Sequence, residues 1–360
     1  MTDLNALRHW GCAVLNWDEG VTELDPVPGD ASFRRYFRLL GPGGRAILCD
    51  APPAREKNAE FVAVAALFDT AGVRVPRVHG VDLERGWLCL EDLGDQLLLP
   101  LLSDTTADAY YEEALGMLRM LAAVPDAAAE LAPYSHALLM QELELFPEWF
   151  CHRLLAMPLD ADARRILDDL FAVLCERALG QLQVAVHRDF HARNLMVVDS
   201  GEGEGEGEGE GDSEGDKMER GHLAAIDFQD AVFGPVCYDP VSLLRDCYLR
   251  WPSERVRAWA LFHRDTLLAD GLNVPREDAA FLRDFDYMGL QRHIKVLGIF
   301  ARLWMRDGKD AYLRDLPRVM GYVRDVLALY ADEPAVVAFA RWFDAAALPL
   351  AQQQIWYRPS

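Results

Sequence analysis

"HRDFHARN", residues 187–194, decides how this chain is read. It sets an aspartate five residues ahead of an asparagine. A short apolar run follows, LMVV at 195–198, and a second, LAAIDF at 223–228, runs into IDFQD at 226–230. Two such runs read as a strand pair, which would return Asp227 beside the loop that carries Asp189 and Asn194. Phosphoryl transfer needs three groups these positions supply. An aspartate beside the acceptor hydroxyl orients it and takes its proton (Asp189). An amide oxygen helps to hold magnesium on the nucleotide phosphates (Asn194), and a carboxylate bridges metal and phosphates (Asp227). Short Asp/Asn motifs also form Asx-turns and caps. The chemical reading is favoured by the strand pair, the second aspartate at its far end and the β-rich segment that opens the chain.

The chain as a whole sets bounds on that reading. At 360 residues it is long for one core, so two domains are expected. Apolar residues are 51% and charged residues 26%, an ordinary globular balance. The net charge of −22 argues against a nucleic-acid or anionic-membrane partner, since binding phosphate surfaces needs a basic face. Eight of the excess carboxylates lie in GEGEGEGEGEGDSEGD at 201–216, leaving −14 elsewhere. The seven cysteines are odd in number, form no Cys-x-x-Cys pair and mostly adjoin apolar residues, a pattern of reduced core thiols. MTDLNALRHWG lacks a basic segment followed by an apolar run, so no signal peptide is expected. No stretch of about 18 apolar residues is read, so no membrane span is expected. The expected compartment is cytoplasmic.

Apolar spacing predicts a helix at 3–16, then strands in SFRRYFRLL and RAILCD around the GPGG turn at 41–44, with another strand before them. A helix in REKNAEFVAVAALFDTAG ends at Gly72, and RVPRVHGVD and GWLCLEDL read as two more strands. Beyond Leu93 helical periods run near 105–124, 138–156, 160–179, 240–269, 276–306, 309–331 and 334–346, interrupted only by the strand pair already named. The expected division is a nucleotide-binding lobe at 1–92 and a helical lobe at 93–360. Alternating glycine and like charge cannot bury apolar surface, so 201–220 is expected to be a disordered hairpin tip without function.

These motifs together resemble the aminoglycoside phosphotransferase and choline kinase superfamily, over nearly the full chain. The resemblance implies an α+β, two-lobed protein-kinase-like fold with a small β-rich N-lobe and a larger, mostly helical C-lobe. His191, two past the aspartate where protein kinases usually carry lysine, points to a small-molecule acceptor. A narrower likeness lies in GDASFRRYFRL (29–39), CDAPPAREKNAEF (49–61), LEDLGD (90–95), IDFQDAVFGPVCYDPVSLL (226–244) and QRHIKVLGIFARL (291–303). These resemble the bacterial anomeric amino-sugar kinases, which phosphorylate the C1 hydroxyl of N-acetylmuramate and N-acetylglucosamine in cell-wall recycling. The likeness implies ATP and Mg2+, and a sugar acceptor.

The resemblance has a gap. The turn before SFRRY lacks G-x-G-x-x-G, and RAILCD has no lysine where a kinase strand would place one. Arg34, Arg35, Arg45 and Lys57 are candidates for the cation on the phosphates, with Glu56 or Glu60 to hold it. Backbone amides of Asp30, Ala31 and Ser32 are candidates to line the phosphates. Glu91 and Leu93 are expected to present backbone groups to adenine. On the acceptor side, Arg292 and Lys295, three apart on one helix, with His293 nearby, are expected to approach the sugar or its carboxylate. Glu142 and Glu144 are either partners of sugar hydroxyls or ordinary helix positions. His187 and His191 are expected to order the loop, and Asp239 to cap the following helix and steady that loop. Two other readings stay open: an aminoglycoside kinase of the same fold, and a catalytically silent nucleotide-binding scaffold.

Overall fold

A computed structural model describes residues 3–27, 33–125, 127–198 and 221–358. The expected phosphate-lining turn at Asp30, Ala31 and Ser32 and the acidic tip at 201–220 lie outside the described residues. The chain divides into two compact units. One comprises residues 1–120 with 192–230, the other residues 121–191 with 231–360. The boundary expected after residue 92 falls inside the first of these.

The first unit opens with helix α1 (Leu4–Leu15) and strand β1 (Glu23–Val27). Strands β2 (Arg35–Gly41) and β3 (Gly44–Asp50), helix α2 (Asn58–Thr70), strands β4 (Val78–Asp82) and β5 (Trp87–Glu91) and helix α3 (Ala107–Ala122) follow. The strands form one antiparallel sheet in the order β1-β2-β3-β5-β4. Strand alternation sorts its residues by face. Phe37, Leu39, Ala46, Leu48 and Cys89 point to one side, where Leu7 and Cys12 of α1 close a core over them. Gly11 permits that approach, because a Cβ there would lie 2.7 Å from the Leu48 side chain. Arg34, Tyr36 and Arg38 fall on the other face.

The second unit contributes α4 (Ala127–Glu130), α5 (His136–Leu143), a π-helical turn (Phe146–Leu154), α6 (Ala161–Gly180) and strand β6 (Gln183–Val186). The chain then enters the first unit for the hairpin β7 (Leu195–Val198) and β8 (His222–Ala225). Pairing of Leu97 with Met196 and the bond from the Ala225 N–H to the Arg74 carbonyl (2.8 Å) tie this hairpin to the N-terminal segment. The second unit resumes with β9 (Val232–Pro235), α7 (Tyr238–Leu244), α8 (Ser253–Ala269), α9 (Asp278–Asp307), α10 (Leu316–Leu329), α11 (Pro334–Trp342) and α12 (Leu348–Gln352). The strand pair β6–β9 was not expected, since a single pair was read beyond Leu93. Three expected helices are also broken. Pro147 separates α5 from the π-helical turn, Pro252 precedes α8, and Pro317 opens α10, each where proline lacks an N–H or clashes with a preceding turn.

Helix α9 is the axis of the second unit, packed by the π-helical turn, α6, α7 and α10. It is buried on nearly every side from Phe281 to Ala301, as a helix enclosed by others is. The segment Pro334–Gln352 is long and apolar enough, at mean hydropathy 1.2, to cross a membrane by length and composition, which corrects the expectation that no such stretch exists. Its apolar residues follow core-facing spacing: Val336, Phe339, Phe343, Ala347 and Ala351 are fully buried, and the Phe339 ring lies 6.1 Å from that of Phe146.

Gly298 of α9 faces the chain at Leu145, where an added Cβ would lie 2.4 Å from backbone carbon. In a free helix Gly→Ala gains about 1 kcal/mol. Here Gly298→Ala is expected to destabilise the protein by about 1–3 kcal/mol, read as a lowered urea midpoint. A raised midpoint would contradict the close approach.

Candidate active site

The stretch His187–Asn194 is shared by the two units: Asp189 belongs to the helical one and Asn194 to the sheet-containing one. In the helical unit, β6 delivers His187 fully buried. Arg188 then takes φ 77°, a left-handed conformation that costs about 1–3 kcal/mol for a residue other than glycine. The Asp239 carboxylate holds this turn. It accepts the His187 N–H at 2.6 Å and the Arg188 N–H at 3.0 Å. Asp239 was expected to cap the following helix. Instead it lies within the first turn of α7, whose cap, Cys237, makes no side-chain bond. Burial pushes the Asp239 carboxyl up to about 7, against the two N–H groups that favour its charged form. His187 also orders the turn, its Nδ1 accepting the Asp189 N–H at 3.3 Å. His191 donates its backbone N–H to the Asp189 carbonyl (3.0 Å) and sets its ring edge-on to Tyr248.

Burial alone would raise the Asp189 carboxyl. Lys295, His191, Arg188 and Arg292 outweigh it and hold the group below the usual carboxylate range. Lys295 and Arg188 are placed by a second carboxylate, Glu142 of α5. It accepts from Lys295 Nζ (2.8 Å), from the Arg188 guanidinium (2.5 Å) and from the Tyr134 hydroxyl. Lys295 also donates to the Tyr238 hydroxyl at 2.8 Å. Lys295 and Arg188 keep Glu142 itself below its ordinary value although burial opposes this. Glu144 is bound to Arg164 on α6 instead.

Arg292 is 4% exposed. Its NH1 donates to Cys247 Sγ at 3.3 Å, and no carboxylate lies within ion-pair distance among the described residues. His293 turns inward, stacked on Tyr322 at 4.7 Å, with Nε2 on the Arg245 carbonyl. Burial lowers its ring to about 3, so it stays neutral. Thus Arg292, Lys295 and Glu142 gather around Asp189, whereas His293 serves the packing of α9. The sequence reading did not identify Tyr134, Tyr238 or Arg188, whose bonds to Glu142, Lys295 and Glu142 span 8, 57 and 46 positions of chain with no local pattern to mark them.

In the sheet-containing unit, the Ile226 N–H donates to the Asn194 carbonyl at 3.0 Å, one step beyond the pair Leu195–Ala225. Asn194 and Asp227 therefore come to the same end of the β7–β8 hairpin. Asp227 takes φ 65° and accepts from Gln229 Nε2 at 2.8 Å. The next residue, Phe228, is fully buried against α2, stacked on Phe61 at 4.8 Å and tilted against Phe68 at 5.8 Å. Beside the hairpin, Leu93, Met196 and Ala224 form an apolar cluster edged by Leu97, Val198 and Ile226. Arg38 clamps the 92–95 turn through Asp92 (2.6 Å) and Asp95 (2.8 Å), a role the sequence reading missed. Glu91 pairs its side chain with Arg74 and donates its N–H to the Arg77 carbonyl at 2.8 Å. Arg35 pairs with Asp50 at 2.7 Å.

Glu142→Gln would leave Lys295 and Arg188 buried without their shared counter-charge. A loss of about 3–5 kcal/mol in urea unfolding is expected. A loss below about 1 kcal/mol would contradict the central place given to Glu142.

Known proteins resemble the chain along most of its length. Residues 23–207 match the phosphotransferase enzyme family. A protein of Pseudomonas putida named N-acetylmuramate/N-acetylglucosamine kinase is 40% identical over 304 residues, 84% of this chain and 83% of that one. A protein of the same name from Neisseria meningitidis is 37% identical over 91% of both chains. Among solved structures, Plasmodium vivax ethanolamine kinase superposes with a TM-score of 0.61 over 88% of this chain and 86% of its own, at 10% identity, a likeness of fold. With an antiparallel sheet ahead of a helical region and a family match spanning half its length, the chain belongs to the phosphotransferase enzyme family.

Proposed function

We propose that this protein is an ATP- and Mg2+-dependent kinase that phosphorylates the anomeric hydroxyl of N-acetylmuramate and N-acetylglucosamine. One feature carries the reading beyond the family: the Asp189 carboxyl, held below its usual range against burial by Lys295, Arg188 and Arg292, next to Arg188 in a left-handed conformation. A silent scaffold has no need of such a group. Asp189 orients the sugar hydroxyl and takes its proton as the oxygen bonds to the γ-phosphorus. The bond from that phosphorus to the β-phosphate oxygen breaks, and ADP leaves.

Asn194 and Asp227 fit a magnesium ion. One amide oxygen and one carboxylate form a hard oxygen pair of the kind magnesium accepts while it keeps water and phosphate oxygens as its other ligands. When bound, the ion neutralises charge on the phosphate oxygens. The apolar cluster at Leu93, Met196 and Ala224 suits the flat face of adenine. All seven cysteines are buried thiols, which supports a reducing, cytoplasmic setting.

The acceptor's charge follows from the cations. Lys295, Arg188 and Arg292 around Asp189 disfavour a polycationic aminoglycoside. Arg292, lacking a carboxylate partner among the described residues, suits the lactyl carboxylate of N-acetylmuramate.

ADP release measured over both acetylated sugars, choline and a kanamycin-type amine is expected with the sugars, phosphorus NMR placing the phosphate on C1. Asp189→Asn should lower kcat about 10²–10⁴-fold. Arg292→Ala should raise KM roughly tenfold to a hundredfold for N-acetylmuramate and leave that for N-acetylglucosamine unchanged. Turnover with the amine alone, or equal effects of Arg292→Ala on both sugars, would contradict the acceptor assignment.

A further inference from the structure

The third strand of the sheet offers no lysine for the nucleotide phosphates, and the four candidate cations occupy different surroundings. Side chains of Arg35, Arg45 and Lys57 are 46%, 55% and 61% exposed, and pair with Asp50, Asp92 and Asp230. The Arg34 side chain is 2% exposed, and its Nε lies 3.3 Å from Glu56 Oε2, itself only 12% exposed. The other oxygen of Glu56 accepts the Phe33 N–H at 3.0 Å, so one carboxylate fixes both the backbone and the guanidinium. That guanidinium lies 5.3 Å from the centroid of Phe61, whose ring stacks on Phe228, the residue after Asp227. Tyr36, on the same face as Arg34, has both Arg34 and Asp227 close enough to influence its hydroxyl.

We infer that Arg34 is the cation that contacts the nucleotide phosphates in this protein, with Glu56 as its positioning residue. An ion pair between the residue before β2 and the bend ahead of α2 takes the place of a strand lysine paired with a helix glutamate. The position agrees with the rest of the unit. Arg34 lies directly before β2 against Phe61 of α2, and that aromatic stack leads to the carboxylate proposed to hold magnesium. Its chemistry agrees as well. A planar guanidinium binds phosphate oxygens in pairs, and a buried one acts through a lower dielectric than the exposed Lys57. A buried ion pair of this kind is a weak net stabiliser, so a strut alone gives little reason for it.

The inference rests on the nucleotide half of the function proposed above, and the test separates the two. Binding of ADP with magnesium, and of adenosine, is measured calorimetrically for wild type, Arg34→Gln, Arg34→Lys, Glu56→Gln and Lys57→Gln, with thermal unfolding as the check on folding. Arg34→Gln is expected to weaken ADP about tenfold or more and to leave adenosine within about twofold. Arg34→Lys should recover part of that loss, and Glu56→Gln should show the same ADP-selective pattern more weakly. Wild-type ADP affinity in Arg34→Gln would overturn the inference. Equal losses for ADP and adenosine, the mark of a strut, would do so too, as would an ADP-selective loss confined to Lys57→Gln. If Arg34→Gln does not fold, Arg34→Lys and Glu56→Gln decide: unchanged ADP binding in both overturns it. A wild type that binds neither ligand overturns the kinase reading and this inference together.

Discussion

Glu142 is the charge on which the helical unit's chemistry depends. Two cations, Lys295 from α9 and Arg188 from the strained turn, meet on this one buried carboxylate, with the Tyr134 hydroxyl as a third donor. Bringing such charges out of water is costly unless each is paired and hydrogen-bonded. Glu142 meets that condition and so lets Lys295 and Arg188 stand beside Asp189. The consequence is a carboxylate that stays ionised despite its surroundings. A base with a low pKa abstracts protons weakly. That suits phosphoryl transfer through a loose transition state, where the acceptor hydroxyl needs orientation more than early deprotonation.

Under the function proposed above, the sheet-containing unit has a different task, that of placing oxygen ligands and a cation around phosphates. The register of β7 and β8 brings Asn194 and Asp227 to one end of the hairpin. The stack of Phe228 on Phe61 and Phe68 anchors Asp227 from behind. Both units store backbone strain at the residues closest to the proposed chemistry, Arg188 and Asp227, each held in a left-handed conformation by neighbours that over-determine it.

Much of this was legible from local pattern. HRDFHARN, IDFQD and the strands between them announce themselves because a hairpin is a short-range structure whose pairing follows from alternation and turns. The β2–β3 hairpin and α1 were readable for the same reason. Four-residue β6 was not, since its partner β9 lies some fifty residues away and neither carries enough period to stand out from flanking helices. Asp239 was expected to cap α7 and to steady the loop; it does not cap, and it steadies the loop by holding backbone 52 residues upstream. Helix α9 is enclosed rather than amphipathic, so its sequence alone does not tell that Arg292, His293 and Lys295 are all buried. Helix breaks at Pro147, Pro252 and Pro317 were written in the chain and were overridden by the apolar periodicity around them.

Cations fixed by Glu142 keep the Asp189 carboxylate charged. This dependence is tested most directly by the pH dependence of kcat/KM in wild type and Lys295→Met. A carboxyl held below its ordinary value is charged and active at all pH above that lowered value, and loses function only as pH falls through it. Removing Lys295 takes away the largest cationic influence on Asp189. The account predicts that the acid limb moves to higher pH in Lys295→Met, with N-acetylglucosamine as acceptor. Superimposable acid limbs in the two proteins would contradict it.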